Sequence, residues 1–545
     1  MTTARCICLW RFFIVALGCF CITSGIYLYC NWSDIFTQLR GKEMALSPTS
    51  PSYSGWKISP LPLYFDVYLF NWTNPEKYYK GSGVKPHFEE LGPYRFLEKP
   101  DKVDIVWHAH NHSVSFRKKA SFHFDAAGSR GRLDDRVTTV NTVGHSAALR
   151  ARDASFFQKK MLQSGLSMYS ERLTVTKTAD QLMFTGYLDP FVTMGSFLSK
   201  FSRDIVVPYD RVGFLYTRND SSAFDGYFNM FTGTDDIRKM GQIHTWNHMT
   251  NNEIFDGECG EVKGSLGEFY PPNLTSNDSI SIYLPNLCRS IPLDYNETVE
   301  IHGLKAFKFS GGERSIDNGT LYPEAKCFCV NGKCEASGII NIGPCKHNSS
   351  SYMSYPHFYK ADPSYLEAVE GLKPIREKHE FFMSLEPNSG IVMDVGGGFQ
   401  ANYLMEEVPG INPFDSIPRT FIPLMWCEER VRVTPEIASE IALVPLIILI
   451  GQLITGALLA AGVILICWYP TKIFSKACND PKTKSTLLNP LASSKTTQMP
   501  PVKRTPLEGL PLLEYKKGSI LLPNGTVMNG LLGNTLRVPS EVITR

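Results

Sequence analysis

The sequence lacks the short motifs that mark common catalytic sites. Its 545 residues contain no GxSxG nucleophile elbow, no HExxH zinc motif and no phosphate-binding P-loop. The stretch HEFFM at His379 has no second histidine, and VGGGF at 395–399 is typical of a turn because it lacks a dinucleotide-fold context. These absences exclude the enzyme classes that depend on such motifs. We therefore expect no enzymatic activity, no catalytic residue, no metal site and no cofactor.

The chain also lacks an excess of charge of either sign and lacks internal repeats. Lys and Arg total 55 against 53 Asp and Glu, for a net charge of +2. Nucleic acid attracts strongly basic domains, so this balance argues against it as a partner of the whole molecule. The middle of the chain contains no long linker. One large domain is therefore expected there, not two in tandem.

Long hydrophobic runs are present at both ends. Ile441 to Tyr469 contains no charged residue, and at about 1.5 Å per residue it can cross a hydrocarbon layer of about 30 Å. Phe12 to Trp32 is a second run, preceded by Arg5 and Arg11. A cleaved signal peptide is the alternative for the second run. We favour an uncleaved anchor, because the run is long and no small-x-small cleavage pattern follows it.

The charge of the tail orients the two spans. Residues 471–545 carry eleven Lys or Arg against four Asp or Glu, and the basic side of a membrane protein is normally cytoplasmic. The tail is polar and Pro-rich at its start, which favours disorder. The predicted layout is a cytoplasmic N-terminus at 1–11, spans at 12–32 and 441–469, a lumenal or extracellular ectodomain at 33–440, and a disordered cytoplasmic tail at 470–545.

Asn-x-Ser/Thr triplets agree with that layout. One such triplet means little, but eight in a single segment between two spans indicate a glycosylated surface. The predicted glycosylation sites are Asn71, Asn111, Asn219, Asn273, Asn277, Asn296, Asn318 and Asn348.

Cysteines fall into an ectodomain group and a membrane group. KCFCVNGKC at 326–334 could hold zinc, support redox chemistry or form disulfides, and the oxidising compartment favours disulfides. The six clustered cysteines allow fifteen pairings, and spacing does not choose among them. They are Cys259, Cys288, Cys327, Cys329, Cys334 and Cys345. Cys427 is left over, either as a buried thiol or as an intermolecular partner.

Four cysteines of the membrane group are candidate palmitoylation sites, because they lie at the expected cytoplasmic boundary. They are Cys6, Cys8, Cys467 and Cys478. The alternative for each is a plain apolar membrane residue.

The ectodomain alternates between strand-like and helical patterns. Alternating stretches such as LYFDVYLFNW, KASFHFDA and RTFIPLMW predict strands. Ser146 to Ser170 predicts a helix, with Phe157, Met161 and Leu162 at helical spacing. The histidines of WHAHNHS, at 107–113, would share one face of a strand and could bind metal or sense acid. A solvated strand face is the more ordinary interpretation.

Several longer stretches resemble a known family. They are FDVYLFNWTNPEKYYKG, FEELGPYRFLE, GYLDPF, DGYFNMFTGTDDI, LCRSIPLDY, YPHFYKADPSYLEAVEGLKP and SLEPNSGIVMD, in this order. In order and spacing they are similar to the class B scavenger receptors, which include fatty-acid and lipoprotein receptors, lysosomal integral membrane protein type 2 and insect homologues. The resemblance covers nearly the whole chain except most of the tail.

This resemblance implies a fold and a set of disulfides. The expected fold is a two-span membrane protein with a β-rich ectodomain. Its core would be an antiparallel β-barrel with a hydrophobic tunnel, capped by an apical helical bundle at about 146–201. The implied disulfides are Cys259–Cys327, Cys288–Cys345 and Cys329–Cys334.

The resemblance also implies a function. Family members bind lipids, lipoproteins, particles or protein partners at the apex, and some pass lipid through the tunnel into the membrane. Here Lys159, Lys160 and Arg172 are the candidate apical ligand residues. Tyr169 and Glu171 stand where lipoprotein-binding members carry a lysine pair, which leaves a different lipid or a protein ligand open. Self-association is a further expectation.

The tail carries a candidate sorting signal. EGLPLL places Glu508 four residues before Leu512 and Leu513, the acidic dileucine pattern that a clathrin adaptor recognises. We therefore expect the protein at the plasma membrane and in late endosomes or lysosomes.

Three alternative functions remain open at this point. The first is a lysosomal trafficking receptor for a soluble protein, and the second is a membrane-anchored hydrolase. The third is a two-span ion channel subunit, but Gln452 and Thr455 are the only polar residues that stand out in the second span.

Overall fold

The structure is a computed structural model. It describes residues 2–59, 61–79, 82–168, 172–200, 207, 209–330 and 332–479. The chain divides into two compact units, Met1–Trp468 and Tyr469–Arg545. The first contains the ectodomain and both candidate spans. Of the second, only helix up to Asn479 is described.

Helices and strands alternate along the described residues. The helices are α1 (Thr2–Met44), α2 (Ser52–Lys57), α3 (Thr142–Arg150), α4 (Phe156–Met168), α5 (Pro190–Leu198), α6 (Glu313–Ile316), α7 (Pro363–Glu367), α8 (Arg376–His379), α9 (Pro435–Ile441) and α10 (Leu443–Asn479). The strands are β1 (Leu63–Trp72), β2 (Phe88–His108), β3 (Ser113–Phe124), β4 (Arg136–Val140), β5 (Thr174–Thr178), β6 (Tyr227–Phe231), β7 (Ile243–Trp246), β8 (Ser279–Leu284), β9 (Arg289–Ile301), β10 (Leu304–Ser310), β11 (Ile340–Asn341), β12 (Ser351–Ser354), β13 (Phe382–Leu385), β14 (Val392–Gly396), β15 (Gly398–Met405) and β16 (Thr420–Arg432).

One large antiparallel sheet forms most of the ectodomain. Its strand order is β7-β6-β3-β2-β1-β16-β14-β13-β10-β9-β8, while β15 joins β16 to β12 and β11. The two ends of this order nearly meet. Ile243 N donates to Gly264 O at 2.8 Å, and Ser265 N donates to Ser281 O at 2.9 Å. Closing a sheet in this way covers edge strands that would otherwise invite aggregation. The expected β-barrel-like ectodomain is confirmed.

Strand β1 shows why the sequence folds this way. Its run LYFDVYLFNW is apolar at nearly every position, which is typical of a strand buried on both faces. Tyr68 contributes to one hydrophobic core, and Val67 contributes to another on the opposite face. Tyr68 also stacks on Trp426 of β16, with ring centroids 4.0 Å apart. Burying one such aromatic side chain stabilises the fold by about 2–3 kcal/mol.

A charged residue interrupts that apolar run and is neutralised across the sheet. Asp66 is 7% exposed and pairs with Arg95 of β2 in register. Arg95 donates from Nε to Oδ1 at 2.7 Å and from Nη2 to Oδ2 at 2.6 Å. This two-bond geometry satisfies the buried carboxylate, which would otherwise destabilise the sheet.

Two helices are long and apolar enough to cross a membrane. They cover Phe13–Phe36 and Pro435–Cys467, close to the two predicted spans. Glycines let them pack closely, because a Cβ built at Gly25 would lie 3.0 Å from Leu459 Cβ, and one at Gly451 would overlap the ring of Trp32. Small residues at such contacts are typical of membrane helix pairs.

Both spans are tied to the ectodomain. After α1, Leu46 N donates to Thr232 O at 2.9 Å. Before α10, the short helix α9 buries Ala438 and Ile441 against Ile301 and Met393.

In α10, Thr455 donates its hydroxyl to Gly451 O at 3.0 Å. Its polar group is therefore satisfied inside the helix, which weakens the channel alternative.

Candidate functional site

Helices α3, α4 and α5 lie at the end of the ectodomain opposite the spans. Strand β16 runs from Thr420 to Arg432, where α9 and α10 follow. At about 3.3 Å per residue this strand covers about 40 Å. The partner of Thr420 across the sheet is Met405, and α3 contacts the chain directly beside it. The helical cap that the resemblance implied therefore exists, and we call this end apical.

A buried histidine attaches α3 to the sheet. His145 is fully buried, with Nδ1 at 3.0 Å from the Tyr403 hydroxyl and Nε2 donating to Glu406 O at 2.8 Å. Burial lowers the pKa of His145. The neutral ring thus satisfies both neighbours and holds the helix in place.

A chain of ion pairs reinforces the same attachment. Glu406 accepts from Arg152, just after α3, at 3.2 Å and from Arg419 at 3.2 Å. Arg419 continues to Glu335 at 2.6 Å. Partly exposed pairs of this kind contribute about 0–1 kcal/mol each, so their main effect is to orient the cap.

The predicted helix at Ser146–Ser170 is interrupted. The structure forms α3 and α4, separated by a turn at 151–155. Helix α4 also exposes apolar side chains on the side that does not pack against the core. Phe157 is 72% exposed and Met161 is 62% exposed, while Leu166 is buried against Phe191 of α5. Of the three apolar residues predicted at helical spacing, Phe157 and Met161 face solvent, while Leu162 is partly buried against the core.

More large apolar side chains are exposed on α4 and α5. We call the whole set the apical apolar surface. It consists of Phe156, Phe157, Met161, Met168, Leu188, Met194 and Phe197. Scattered exposed apolar residues are ordinary, but several on neighbouring helices mark an interaction site. The sequence pattern missed Leu188, Met194 and Phe197; the density of apolar residues in LDPFVTMGSFL was the available signal.

A groove opens beside α5. It has a volume of about 560 Å³ and is lined by Leu188, Asp189, Pro190, Thr193, Met194 and Phe197. Asp189 directs its carboxylate to the backbone, because its Oδ1 accepts from Phe191 N at 2.9 Å and caps the helix. The groove is largely apolar, and it is shallow and open to solvent.

The three candidate ligand residues are all in this apical region. Lys160 is exposed with Nζ 5.6 Å from the Phe156 ring centroid, Lys159 is partly buried, and Arg172 is exposed. Helix α4 contains no acidic residue. The region is thus cationic beside apolar groups. Tyr169 and Glu171 lie outside the described residues.

The structure forms three disulfides among the clustered cysteines. They are Cys259–Cys327, Cys288–Cys345 and Cys329–Cys334. This is the pairing that the family resemblance implied. Cys427 is a free thiol on β16.

Most predicted glycosylation sites are accessible. Asn219, Asn273, Asn277, Asn296 and Asn348 are exposed, and Asn71 and Asn111 are partly exposed. Asn318 differs, because it is 5% exposed and its Nδ2 donates to Ile339 O at 3.2 Å in a buried setting. This burial keeps the atom that would carry the glycan away from the surface. The structure therefore argues against a glycan at Asn318.

The histidines of WHAHNHS do not share a strand face. His108 ends β2, while His110 and His112 lie in or beside the turn before β3. The described residues contain no group of three His, Cys, Asp or Glu side chains that could hold a metal ion. The strand-face interpretation of these histidines was wrong because the chain reverses within them.

Several predicted modification and sorting residues cannot be placed. Glu508, Leu512 and Leu513 lie outside the described residues, as do the side chains of Cys6, Cys8 and Cys478. Cys467 is exposed near the end of the second candidate span.

Together these features define a two-span membrane protein whose ectodomain exposes apolar side chains at the end far from the spans. The sequence profile of the CD36 family matches residues 16–473. The chain belongs to that family.

Three relatives illustrate the match. Protein peste of Drosophila melanogaster is 58% identical over 532 residues, covering 95% of both chains. Scavenger receptor class B member 1 of Rattus norvegicus is 30% identical, covering 76% of this chain and 79% of its own. Lysosome membrane protein 2 of Homo sapiens is 28% identical, covering 73% of this chain and 81% of its own. The predicted class B scavenger receptor membership is confirmed.

Proposed function

We propose that this protein is a receptor that binds lipid-bearing particles through its apical apolar surface. The exposure of Phe157 and Met161 on a helix without acidic residues carries this proposal. A lipid surface buries aromatic side chains favourably, and nearby lysines attract its anionic head groups. Scavenger receptor class B member 1 among the relatives supports a receptor role.

Vesicle binding by the full-length protein in detergent or nanodiscs tests this proposal. Vesicles of phosphatidylcholine, with and without phosphatidylserine, are the probes. Phe157→Asp should weaken binding about tenfold, because it puts a charge where the lipid surface would bury an aromatic ring. Phe157→Leu, which keeps the site apolar, should bind nearly as wild type. Equal binding by all three would overturn the proposal, as would binding by none, which would favour a soluble protein ligand.

We further propose that lipid passes from the apical groove through the nearly closed sheet to the bilayer. An apolar conduit removes the cost of exposing a lipid to water, about 25 cal/mol per Å² of apolar area. Mass spectrometry of lipids extracted from the purified protein tests this step. Recovery of acyl lipids or sterols supports the conduit, and a protein free of lipid after mild purification contradicts it.

The membrane orientation is part of the same proposal. We propose that both termini are cytoplasmic and that the protein cycles between the cell surface and endolysosomes. The basic tail and the lysosomal relative support this. Protease treatment of sealed cells should remove an epitope placed in the ectodomain but spare one at either terminus. Loss of a terminal epitope would contradict the orientation.

A further inference from the structure

A second cavity lies on the side of the ectodomain, and one predicted glycosylation site forms part of its wall. The cavity has a volume of about 340 Å³. It is lined by Asp294, Tyr295, Asn296, Ser310, Gly312, Tyr359, Lys360, Arg376 and Glu380. Polar and apolar atoms line it about equally, whereas apolar atoms dominate the apical groove.

A β-bulge aims Asn296 at this cavity. In the ladder of β9 with β10, Tyr295 pairs with Phe309 and Glu297 pairs with Lys308, so Asn296 is an extra residue without a partner on β10. Bulges re-aim side chains in this way. Asn296 Nδ2 also lies 3.3 Å from Ser310 Oγ and donates to it. A glycosylated amide keeps one N–H, so this hydrogen bond can persist and set the direction of the sugar.

The charges around the cavity are nearly balanced. Glu380 is bound by Lys308 at 2.7 Å and by Arg376 at 3.4 Å, and Asp294 is bound by Arg314 at 3.3 Å. A site for an ion would leave an excess of one sign. Balanced donors and acceptors instead suit an uncharged ligand whose hydroxyl groups both donate and accept.

The remaining wall also fits a sugar. Tyr359 is partly exposed there and offers an aromatic face for the C–H groups of a pyranose ring. Lys360 Nζ donates to the Gly311 carbonyl at 3.4 Å and lies 5.6 Å from the Tyr359 ring centroid. An ammonium group has three donors, so this hydrogen bond leaves donors for a sugar hydroxyl. The cavity is open to solvent, so sugars attached at its wall can enter it.

We propose that this cavity is the seat of the protein's own glycan: the first sugars attached to Asn296 pack between Tyr359, Arg376 and Glu380. These sugars are covalently linked to the protein, because Asn296, the residue that carries them, lies in the cavity wall. This glycan therefore fixes β9, β10 and α8 to one another, whereas glycans elsewhere extend into solvent. The proposal rests on the lumenal orientation of the ectodomain.

The accessibility of the glycan in the native protein tests this assignment. Full-length protein, extracted in mild detergent, is treated with peptide:N-glycosidase F before and after denaturation. Mass spectrometry reads the conversion of each Asn to Asp. In native protein, release at Asn296 should be about tenfold slower than at Asn277, since a seated sugar must leave its cavity first. After denaturation the two rates should be equal. Asn277 is the matched control because it lies on an exposed turn.

Arg376→Ala provides a second measurement with the glycan still attached. Arg376 is half exposed, so its removal should leave the fold intact. In this variant, release at Asn296 should approach the rate at Asn277. Equal rates of glycan release at Asn296 and Asn277 in native wild-type protein would contradict the proposal. An Asn296 without a glycan, in protein that carries glycans at other sequons, would contradict it as well. If no sequon carried a glycan, the lumenal orientation of the ectodomain would be contradicted, and the proposed glycan site would be contradicted with it.

Discussion

The ring of Trp32 in α1 lies directly against the backbone of Gly451 in α10. No side-chain atom of α10 fits between this ring and the backbone, because a Cβ at position 451 would overlap the indole ring. Five residues further along α10, Gly456 faces Tyr29 with more room, since a Cβ there would lie 4.0 Å from the Tyr29 ring. The two spans therefore leave no room for a side chain at Gly451 but have room for a methyl group at Gly456.

Gly451→Ala should destabilise the helix pair, and Gly456→Ala should not. Overpacking a contact of this kind costs about 1–3 kcal/mol. The thermal midpoint of the full-length protein in detergent should fall by several degrees, roughly as such an energy predicts. Equal midpoints for the two variants would contradict the role assigned to Trp32 and Gly451.

A buried pair of histidines should make stability depend on pH. The rings of His379 and His357 stack with centroids 4.5 Å apart, and Glu90 accepts from His357, from Lys378 and from Trp426. Burial lowers the pKa of His379 to about 3, and the neighbouring His357 adds to that shift. Burial raises the pKa of Glu90, but its hydrogen bonds outweigh this and hold it at about 2.

The sign of the effect follows from these pKa values. In the unfolded chain a histidine binds its proton near pH 6.5, whereas folded His379 stays neutral down to about pH 3. Stability therefore falls as pH drops below about 6.5, by about 2 kcal/mol at pH 5. Glu90 keeps its contribution until the pH approaches 4.5, the ordinary value for its carboxyl.

His379→Asn should remove this acid sensitivity, because it keeps an acceptor for Ile375 N and does not titrate. The variant is expected to be less stable at pH 7.5, since it loses packing. The informative quantity is the drop in thermal midpoint between pH 7.5 and pH 5.0, which should be smaller for the variant. A drop of the same size in both proteins would assign the pH dependence to other groups.

Cys427 should be an unreactive thiol. It is partly buried on β16, opposite Val67 and Phe399, and burial raises its pKa to about 12. At pH 8 its thiolate fraction is then about a thousandfold below that of an ordinary cysteine. We expect no alkylation by iodoacetamide in native protein, full alkylation after denaturation and no Cys427-linked dimer on non-reducing gels. Rapid native modification would instead support the intermolecular role.

Asn318 should stay unmodified while Asn348 carries a glycan. The two sequons lie thirty residues apart along the chain, but Asn318 is buried and donates from Nδ2, whereas Asn348 is exposed. Glycopeptide mapping measures both occupancies in one digest. A high occupancy at Asn318 would mean that the segment around it is not packed as described when the glycan is added.

Changing Leu512 and Leu513 to Ala should move protein to the cell surface. The acidic dileucine pattern needs both leucines, while Leu510 lies outside it. Leu510→Ala is therefore the matched control. Surface biotinylation should rise for the double variant alone. An unchanged distribution would remove the sorting role from this segment and leave the endolysosomal proposal without its signal.

Parts of the molecule follow from local sequence. The two spans depend on length and the absence of charge, and β1 has the bounds of the apolar run that predicted it. The sequons and the oxidising compartment narrowed the cysteine cluster to disulfides, and the family resemblance then implied their pairing. These properties depend on residues that are close together along the chain, so the local sequence pattern predicts them.

Other parts were decided by contacts between distant segments. Helical spacing at Phe157 and Met161 predicted a helix but could not tell which side would be covered, because burial depends on what packs across from it. Asn318 meets Ile339, and Asn296 meets Ser310, through pairings of separate strands and loops. The apical apolar surface, the burial of Asn318 and the second cavity are therefore products of tertiary structure, since only the folded chain brings these distant segments together.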